Sequence, residues 1–498
     1  MIKAAPSFNE FKRLSKKGNI IPLYKEVFAD EDTPVSLFRR LALSEKYSYL
    51  LESLEGGEHW ARYSFLSFDP DKMFKVDKGV VRVFSKGKQV KEFATKNPIQ
   101  SLQSFLTQYK PVHLKELPRF WGGMVGYVNY DVVKYFEDIK DKLPDELKLP
   151  EMVFMLSNRL LIFDHLKHRL LIVVAVEIKG KDKLLSLYKR GIKEIESIEQ
   201  RIKGCFAKPQ ARIAKAKSSR LEIKSNVTRS EFKSAVKKAK EYILAGDCIQ
   251  IVLSQRFSSR ITVHPFDIYR ALRVVNPSPY LYYLKCDDFN IVGSSPEVLV
   301  RKEDNLIETR PIAGTRPRGK TEKEDELLGR ELLDDPKELA EHVMLVDLGR
   351  NDLGKVAEIG SVSVPEFKVI EKYSHVMHIV SQVKAKIKST ATAKDLFQSA
   401  FPAGTVSGAP KIRAMEIIGE LEKTKRGPYA GALGYFSFEG NMDMAITIRT
   451  ILIKNNVAYV QAGAGIVADS VPEKEYQETR NKAQGLFKAI ELAQKGLT

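Results

Sequence analysis

From Thr228 onward the pattern of apolar positions is that of a helix. Thr228 and Glu231 form a capping box, Phe232, Ala235, Val236, Ala239 and Ile243 share one face, and Gly246 supplies the stop. The next stretch, DCIQIVLSQRF, alternates: Ile249, Ile251 and Leu253 fall on one side and Gln250, Val252 and Ser254 on the other, the period of a strand. Strand patterns continue in YLYYLKC, FNIVGSSPEVLVRK and NLIETRP, joined by turns as short as Asp287-Asp288, and turns that short connect antiparallel neighbours. Upstream, Lys46–Phe68 holds two β-rich runs around Gly56-Gly57, a hairpin signal. RFWGGMVGYVNYDVV mixes glycine with aromatics, as where backbones approach closely. The longest apolar run, Leu170 to Val176, is too short to span a bilayer and reads as a buried strand. No repeat and no alternating β-α-β period is present, so the pattern predicts an α+β fold and not a doubly wound sheet.

A charged helical stretch over Lys181–Lys203 passes into AKPQARIAKAKSSRLEIKSN, which is basic and lacks apolar periodicity. It is expected to be a linker over residues 204–226, separating an N-terminal region, 1–203, from a second region, 227–498. A length of 498 residues already exceeds what one hydrophobic core usually serves.

Composition narrows the function classes. The balance of 81 Lys+Arg against 63 Asp+Glu gives a net charge of +18, which raises nucleic-acid binding as a reading. No zinc-finger spacing, RNP-type aromatic motif or basic heptad helix supports it, and the lysines are scattered through mixed-charge helices, so a solvated surface is expected instead. Cys205, Cys248 and Cys286 lie far apart with no CxxC, as inert thiols in a reducing cytoplasm would. The first twenty residues have no apolar signal-peptide core, so a cytoplasmic location with no membrane association is expected.

Three features carry candidate chemistry. Glu338 and Glu341 share a helix face in PKELAEHVMLVDLGRNDLG, with Leu339, Val343 and Val346 available for the core, and Glu475 and Glu478 share another in SVPEKEYQETRNKAQGLFKAI, where Ser470 and Glu473 are expected to form a capping box. Such pairs are common on solvated faces, but four carboxylates from two helices also suit a hard cation such as Mg²⁺. FPAGTVSGAPK and QAGAGIVADS each feed a helix start, where backbone N–H groups can hold an anion; neither matches a P-loop or a Rossmann fingerprint, which favours a small carboxylate over a nucleotide. ETRPIAGTRPRG crowds Arg310, Arg316 and Arg318 around a glycine turn, a further anion signal. His375 and His378 fall on opposite faces of an alternating run, and no Ser-His-Asp or Cys-His arrangement stands out.

Taken in order, LLES (Leu50–Ser53), NPSPY (Asn276–Tyr280), GSSPE, PIAGTRPRG, EHVMLVDLGRNDLG, YSHVMHIVS, FPAGTVSGAPK, GPYAGALGY, AITIRT and AGAGIVADSVPEKEYQET resemble the chorismate-utilising enzymes, and within them the anthranilate synthase component I (large-subunit) family, over most of the chain. The resemblance implies two antiparallel β-sheets packed as a sandwich with helices on the outside. It implies conversion of chorismate and ammonia, through 2-amino-2-deoxyisochorismate, to anthranilate and pyruvate with Mg²⁺, the first step of tryptophan biosynthesis. Carried over motif by motif, Glu341 and Glu478 are the principal metal residues, with Glu338 and Glu475 completing the set directly or through water. Gly314, Thr315, Tyr429, Arg449, Gly463, Ala464 and Gly465 are substrate contacts, the arginine suited to a carboxylate by its bidentate fork. Glu297 is the general acid for the departing hydroxyl, His378 belongs to pyruvate elimination, and Thr405 lines the pocket. Ser53, Pro279, Tyr280 and Leu281 correspond to a site for the feedback inhibitor L-tryptophan, Leu281 standing where some relatives have methionine. Gln250 replaces the lysine that activates water in isochorismate and salicylate synthases, and Ala313 replaces the lysine of aminodeoxychorismate synthase component I, the alternative reading. A separate glutaminase subunit, in a heterotetramer, is the implied source of ammonia, since no glutaminase module is visible up to Thr498.

Overall fold

The apolar run at Leu170–Val176 is buried along its whole length inside the strand Arg169–Glu177, which pairs on one side with Ile20–Phe28 and on the other with Arg159–Asp164. The computed structural model describes residues 4–28, 31–53, 62–140, 142–180, 182–204, 221–373 and 376–497. The expected hairpin at Gly56-Gly57, Cys205, His375 and most of the basic linker lie outside these residues.

Two twelve-stranded sheets organise the chain. The first runs from Ile20–Phe28 through Arg169–Glu177, Arg159–Asp164, Tyr63–Phe68, Tyr47–Glu52, Tyr280–Cys286, Phe289–Ser295, Thr450–Lys454 and Val457–Ile466 to Gln250–Arg260, with Lys224–Ser225 and Gly408–Ala409 on that last strand. The second runs from Ile312–Pro317 through Val376–Lys386, Leu306–Thr309, Val298–Glu303, Met442–Ile446, Ala432–Ser437, Gly123–Val128, Met152–Leu156 and Lys72–Asp77 to Val80–Ser85 and Lys88–Ala94, with Ser363–Lys372 added on Val376–Lys386. The strand pairs are antiparallel, and Asp287-Asp288 closes one hairpin with Cys286 opposite Phe289, as expected. The largest apolar core draws on both sheets, including Phe74, Trp121 and Phe154 from the second sheet's side and Tyr282 and Leu284 from the first. The outer face of the first sheet is covered by the helices Phe8–Leu14, Pro34–Leu41, Leu184–Gly204, Pro265–Val275 and Pro472–Lys495 through Phe11, Phe38, Ile195, Phe266 and Phe487. The α+β sandwich expected from the sequence is therefore the observed architecture.

Regions 1–203 and 227–498 share both sheets. Tyr47–Glu52 pairs with Tyr280–Cys286, and Gly123–Val128 pairs with Ala432–Ser437. Within the expected linker, the preceding helix extends to Gly204 and Lys224–Ser225 forms a short strand against Phe257 and Ser258. The Thr228–Glu231 capping box is present, and Phe232, Val236 and Ala239 are buried. The second expected box is not: Pro472 at the first helical turn shifts the start, so Val471 is the N-cap, Glu473 pairs with Arg229 and Lys233, and the Ser470 hydroxyl accepts from the Val467 N–H at 3.0 Å.

The chain passes from one sheet to the other at two adjacent places. Residues 296–297 join Phe289–Ser295 of the first sheet to Val298–Glu303 of the second, and residues 447–449 join Met442–Ile446 of the second to Thr450–Lys454 of the first. The crossings are fastened together: Ser295 Oγ donates to the Ile446 carbonyl at 2.7 Å, the Ile446 N–H to the Glu297 carbonyl at 3.0 Å, and the Ser294 N–H to the Arg449 carbonyl at 3.1 Å.

Arg426 braces this region from behind. Its fully buried guanidinium donates to Glu422 at 2.6 Å and to the carbonyls of Val406 and Val252, each at 2.7 Å, and stacks 4.7 Å from the Tyr130 ring centroid. Removing one partner of a buried pair leaves the other charge uncompensated. Arg426→Met is expected to lower unfolding free energy by about 3–5 kcal/mol in chemical denaturation; a change under about 1 kcal/mol would contradict this bracing role.

Candidate active site

Both crossings deliver a side chain to the same cleft. Glu297 occupies the first, with only 8% of its surface exposed, and burial raises its carboxyl pKa to about 8. Thr405, in the short turn Gly404–Val406, is close enough to favour the ionised form without reaching hydrogen-bond geometry, and the Lys482 charge acts in the same direction. Burial wins, so the carboxyl is protonated at neutral pH.

Arg449 occupies the second crossing at φ +50°, a backbone region that residues other than glycine adopt at a cost of about 1–3 kcal/mol. It is partly open to the cleft yet desolvated enough that its pKa is lowered, against the opposing charges of Tyr429 and Glu478. Among the described residues it makes no ion pair or side-chain hydrogen bond. A desolvated, unpaired guanidinium is an anion site. The loop arginines differ from expectation. Arg310 pairs with Glu366 and Glu371, Arg316 with Glu331 and Asp335, and Arg318 with Asp325, so the protein's own carboxylates already satisfy them.

His378 lies on Val376–Lys386, next to the strand Ile312–Pro317. Its Nδ1 is 2.7 Å from the Gly314 carbonyl and 3.1 Å from Thr315 Oγ1. Only an N–H can bond that carbonyl, so the proton is on Nδ1 and Nε2 keeps its lone pair. Burial lowers the imidazole pKa, the Gly314 contact opposes this, and the Arg449 charge reinforces it, leaving a neutral base at neutral pH. Gly314 is at φ +64°, and a Cβ there would lie 2.9 Å from Leu332 Cδ1 and 3.2 Å from Glu338 Oε2, so only glycine fits this approach.

The two acidic pairs face the same cleft. Glu338 and Glu341 lie in the first turns of the helix Pro336–Gly354, and Glu475 and Glu478 in the first turns of Pro472–Lys495. The pKa of Glu338 is raised by burial and then by Glu341, and that of Glu475 by burial, with Glu478 adding to it and Ser470 opposing. Lys337 acts on both, which places the two helix starts beside each other. Gln250 Nε2 donates to Glu341 at 3.3 Å and lies where a Cβ on Gly465 would fall, at 2.7 Å. Among the described residues no three acidic, imidazole or thiol groups close into a metal cage. Tyr429 stands over Gly463, whereas the Ala464 side chain points away into the core under the helix Arg229–Leu244. Lys482 escaped the sequence reading: it pairs with Glu478 at 2.6 Å and donates to the Gly463 carbonyl at 3.1 Å, and its i, i+4 spacing from Glu478 was the available signal.

A cavity of about 740 Å³ lies elsewhere, in the seam where Tyr47–Glu52 meets Tyr280–Cys286. Ser53, Pro279, Tyr280 and Leu281 all line it, joined by Arg301 and Arg310 from the second sheet's side. Tyr280 donates to Asp443 at 2.8 Å.

With this geometry in hand, comparison with known proteins gives a family. The model of the chorismate binding enzymes matches residues 46–488, and the chain belongs to that family. It is 49% identical over 488 residues to anthranilate synthase component 1 of Aquifex aeolicus (strain VF5), covering 98% of each chain, and 48% identical over 491 residues to that of Acetivibrio thermocellus, covering 98% of this chain and 99% of the other. Among solved structures, anthranilate synthase component I from Streptococcus pneumoniae TIGR4 superposes with a TM-score of 0.75 at 39% identity, over 92% of this chain and 98% of that one. The menaquinone-specific isochorismate synthase of Escherichia coli shares the fold at 19% identity, with a TM-score of 0.70.

The raised pKa of Glu297 has a signed consequence. A carboxyl that holds its proton longer when folded contributes stability below its ordinary pKa of 4.5, and this is lost as pH rises toward about 8. Glu297→Gln, a neutral isostere, removes that loss. Its melting-temperature advantage over the native chain is expected to grow between about pH 5 and about pH 8; a difference flat across that range would contradict the protonated Glu297.

Proposed function

We propose that the chain carries out the anthranilate synthase component 1 reaction, converting chorismate and ammonia to anthranilate and pyruvate through 2-amino-2-deoxyisochorismate. The observation that carries this reading is the pair of crossings: one holds an arginine with no ion pair among the described residues, the other a carboxylic acid still protonated at neutral pH. Chorismate is a dicarboxylate with a poor leaving group on its ring, and the two groups match those needs. Arg449, with Tyr429 and the backbone at Gly314, Thr315 and Gly463–Gly465, receives a substrate carboxylate. Glu297 gives its proton to the departing C4 hydroxyl, which leaves as water as ammonia adds at ring C2 and the two ring double bonds shift, and Thr405 flanks the acid. His378, with Nε2 unprotonated, takes the ring proton whose loss aromatises the product as pyruvate leaves.

The acidic pairs fit a divalent cation. Glu475, buried, and Glu338, half-buried, both have raised pKa values and each lies beside a second carboxylate, which crowds negative charge at the two helix starts. The oxygen-only donor set and the open cage suit Mg²⁺, which keeps waters and uses substrate oxygens. Glu341 and Glu478 would hold it, with Glu338 and Glu475 completing the shell directly or through water. Bound there, it would neutralise and orient a substrate carboxylate. Gln250 has no basic lone pair to activate water, which favours ammonia as nucleophile, and Ala313 offers no amine beside the ring.

The cavity lined by Ser53, Pro279, Tyr280 and Leu281 is the proposed L-tryptophan site, shared by the regulatory region 1–203 and the catalytic region 227–498. A glutaminase subunit, in a cytoplasmic heterotetramer, is the proposed ammonia source.

Purified protein with chorismate, ammonium and Mg²⁺ is expected to produce fluorescent anthranilate and pyruvate in equal amounts. Accumulation of a non-aromatic aminated product without anthranilate would point instead to the aminodeoxychorismate synthase reaction. Glu341→Gln and Glu478→Gln are each expected to abolish turnover while leaving the circular dichroism spectrum and melting temperature nearly unchanged. Full activity in both would remove the metal assignment.

A further inference from the structure

His378 is held from two sides. Val376–Lys386 has Ile312–Pro317 on one flank and Ser363–Lys372 on the other. On the second flank Glu371 is directly opposite His378. Opposed residues of an antiparallel pair project to the same face with their Cβ atoms about 4.5–5.5 Å apart, so the two side chains are neighbours. Glu371 Oε2 accepts from the Tyr373 hydroxyl at 2.8 Å, and the Tyr373 ring packs edge-on against the imidazole, with centroids 5.6 Å apart and planes at 63°. Glu371 Oε1 accepts from Arg310 Nη2 at 2.5 Å.

Arg310 gives this cluster its reach. It lies in the break between Leu306–Thr309 and Ile312–Pro317, on the opposite flank of Val376–Lys386, and its side chain crosses that strand to meet Glu371 and Glu366. Arg310 and Glu366 both line the 740 Å³ cavity. The Arg310 side chain is 15% exposed and that of Glu371 29%, so the pair is shielded enough to hold a fixed geometry.

From this we infer that Glu371 and Tyr373 are positioning residues for His378, and that Arg310 ties them to the wall of the cavity, so that occupancy of the cavity is felt at the imidazole. The inference rests on the proposed roles of His378 in the elimination and of the cavity as the tryptophan site. Tyr373 fixes the ring plane, Glu371 fixes Tyr373, and Arg310 fixes Glu371. A ligand that displaces Arg310 rotates the imidazole away from the ring proton while leaving the amination groups in place.

Tyr373→Phe keeps the ring packing and removes the anchor to Glu371; Glu371→Gln keeps the shape and removes the charge that holds Arg310. Each variant is followed for chorismate consumption and anthranilate appearance in parallel, with and without L-tryptophan. A wild-type chain that makes anthranilate and is inhibited by tryptophan secures the underlying reading independently. Against that control, both variants are expected to consume chorismate within about twofold of the native rate with KM unchanged, to form anthranilate at least tenfold more slowly, and to accumulate the aminated intermediate as the difference. Glu371→Gln is expected in addition to need at least fivefold more tryptophan for half-inhibition of anthranilate formation. Consumption and anthranilate falling together without intermediate overturns the positioning role, and unchanged tryptophan sensitivity in Glu371→Gln overturns the link to the cavity.

Discussion

Everything at the site follows from the paired crossing of the two sheets. Phe289–Ser295 and Thr450–Lys454 are neighbours in the first sheet, and Val298–Glu303 and Met442–Ile446 are neighbours in the second, so two chain segments change layer side by side. The hydrogen bonds linking Ser295 to Ile446 and Ile446 to Glu297 keep the crossings in register. A strand that changes layers must leave its ladder for two or three residues, and its side chains there face neither sheet. Glu297 and Arg449 are those residues. The same constraint opens the cleft that the helix starts at Pro336 and Pro472 then line with carboxylates.

Placing a neutral acid, an unpaired arginine and crowded carboxylates in one cleft works against stability. Burial raises the Glu297 pKa to about 8, and Arg449 is held at a positive φ with no ion pair among the described residues. Such departures persist where the surrounding structure over-determines them, and they concentrate where chemistry is done. The compensation is nearby. Arg426 ties Val406 and Val252 to Glu422, and Lys411 donates to Asp352 at 2.7 Å beneath the Phe401–Lys411 segment. These fully paired ions are scaffold; Arg449 has no such partner among the described residues, which is why it is the proposed ligand contact.

Local signals were legible in the sequence because they depend on neighbours along the chain: the Thr228 capping box, the buried run at Leu170–Val176, the two-residue turn at Asp287, and the acidic pairs at i, i+3. The Ser470 box failed because Pro472, one of the strongest helix-start residues, moved the cap to Val471. Long-range facts were not legible. Nothing in ETRPIAGTRPRG reveals that Arg310, Arg316 and Arg318 would meet Glu371, Asp335 and Asp325. Nor does Arg449 look different from them until pairing is known. The interleaving of regions 1–203 and 227–498 is likewise a matter of non-local strand pairing, which apolar periodicity does not encode. Family resemblance supplied what spacing could not, bringing Glu297, His378 and Arg449 forward from segments with no metal-ligand or triad pattern.

Arg449, which makes no ion pair among the described residues, is the proposed receiver of the substrate carboxylate. The direct measurement is chorismate binding by calorimetry with Mg²⁺ present and no ammonia donor, comparing the native chain with Arg449→Gln. Loss of a charge-assisted bidentate contact predicts binding weaker by about 2–3 kcal/mol, roughly 30- to 150-fold, in a protein of unchanged melting temperature. Equal affinity in the two proteins would contradict this role for Arg449.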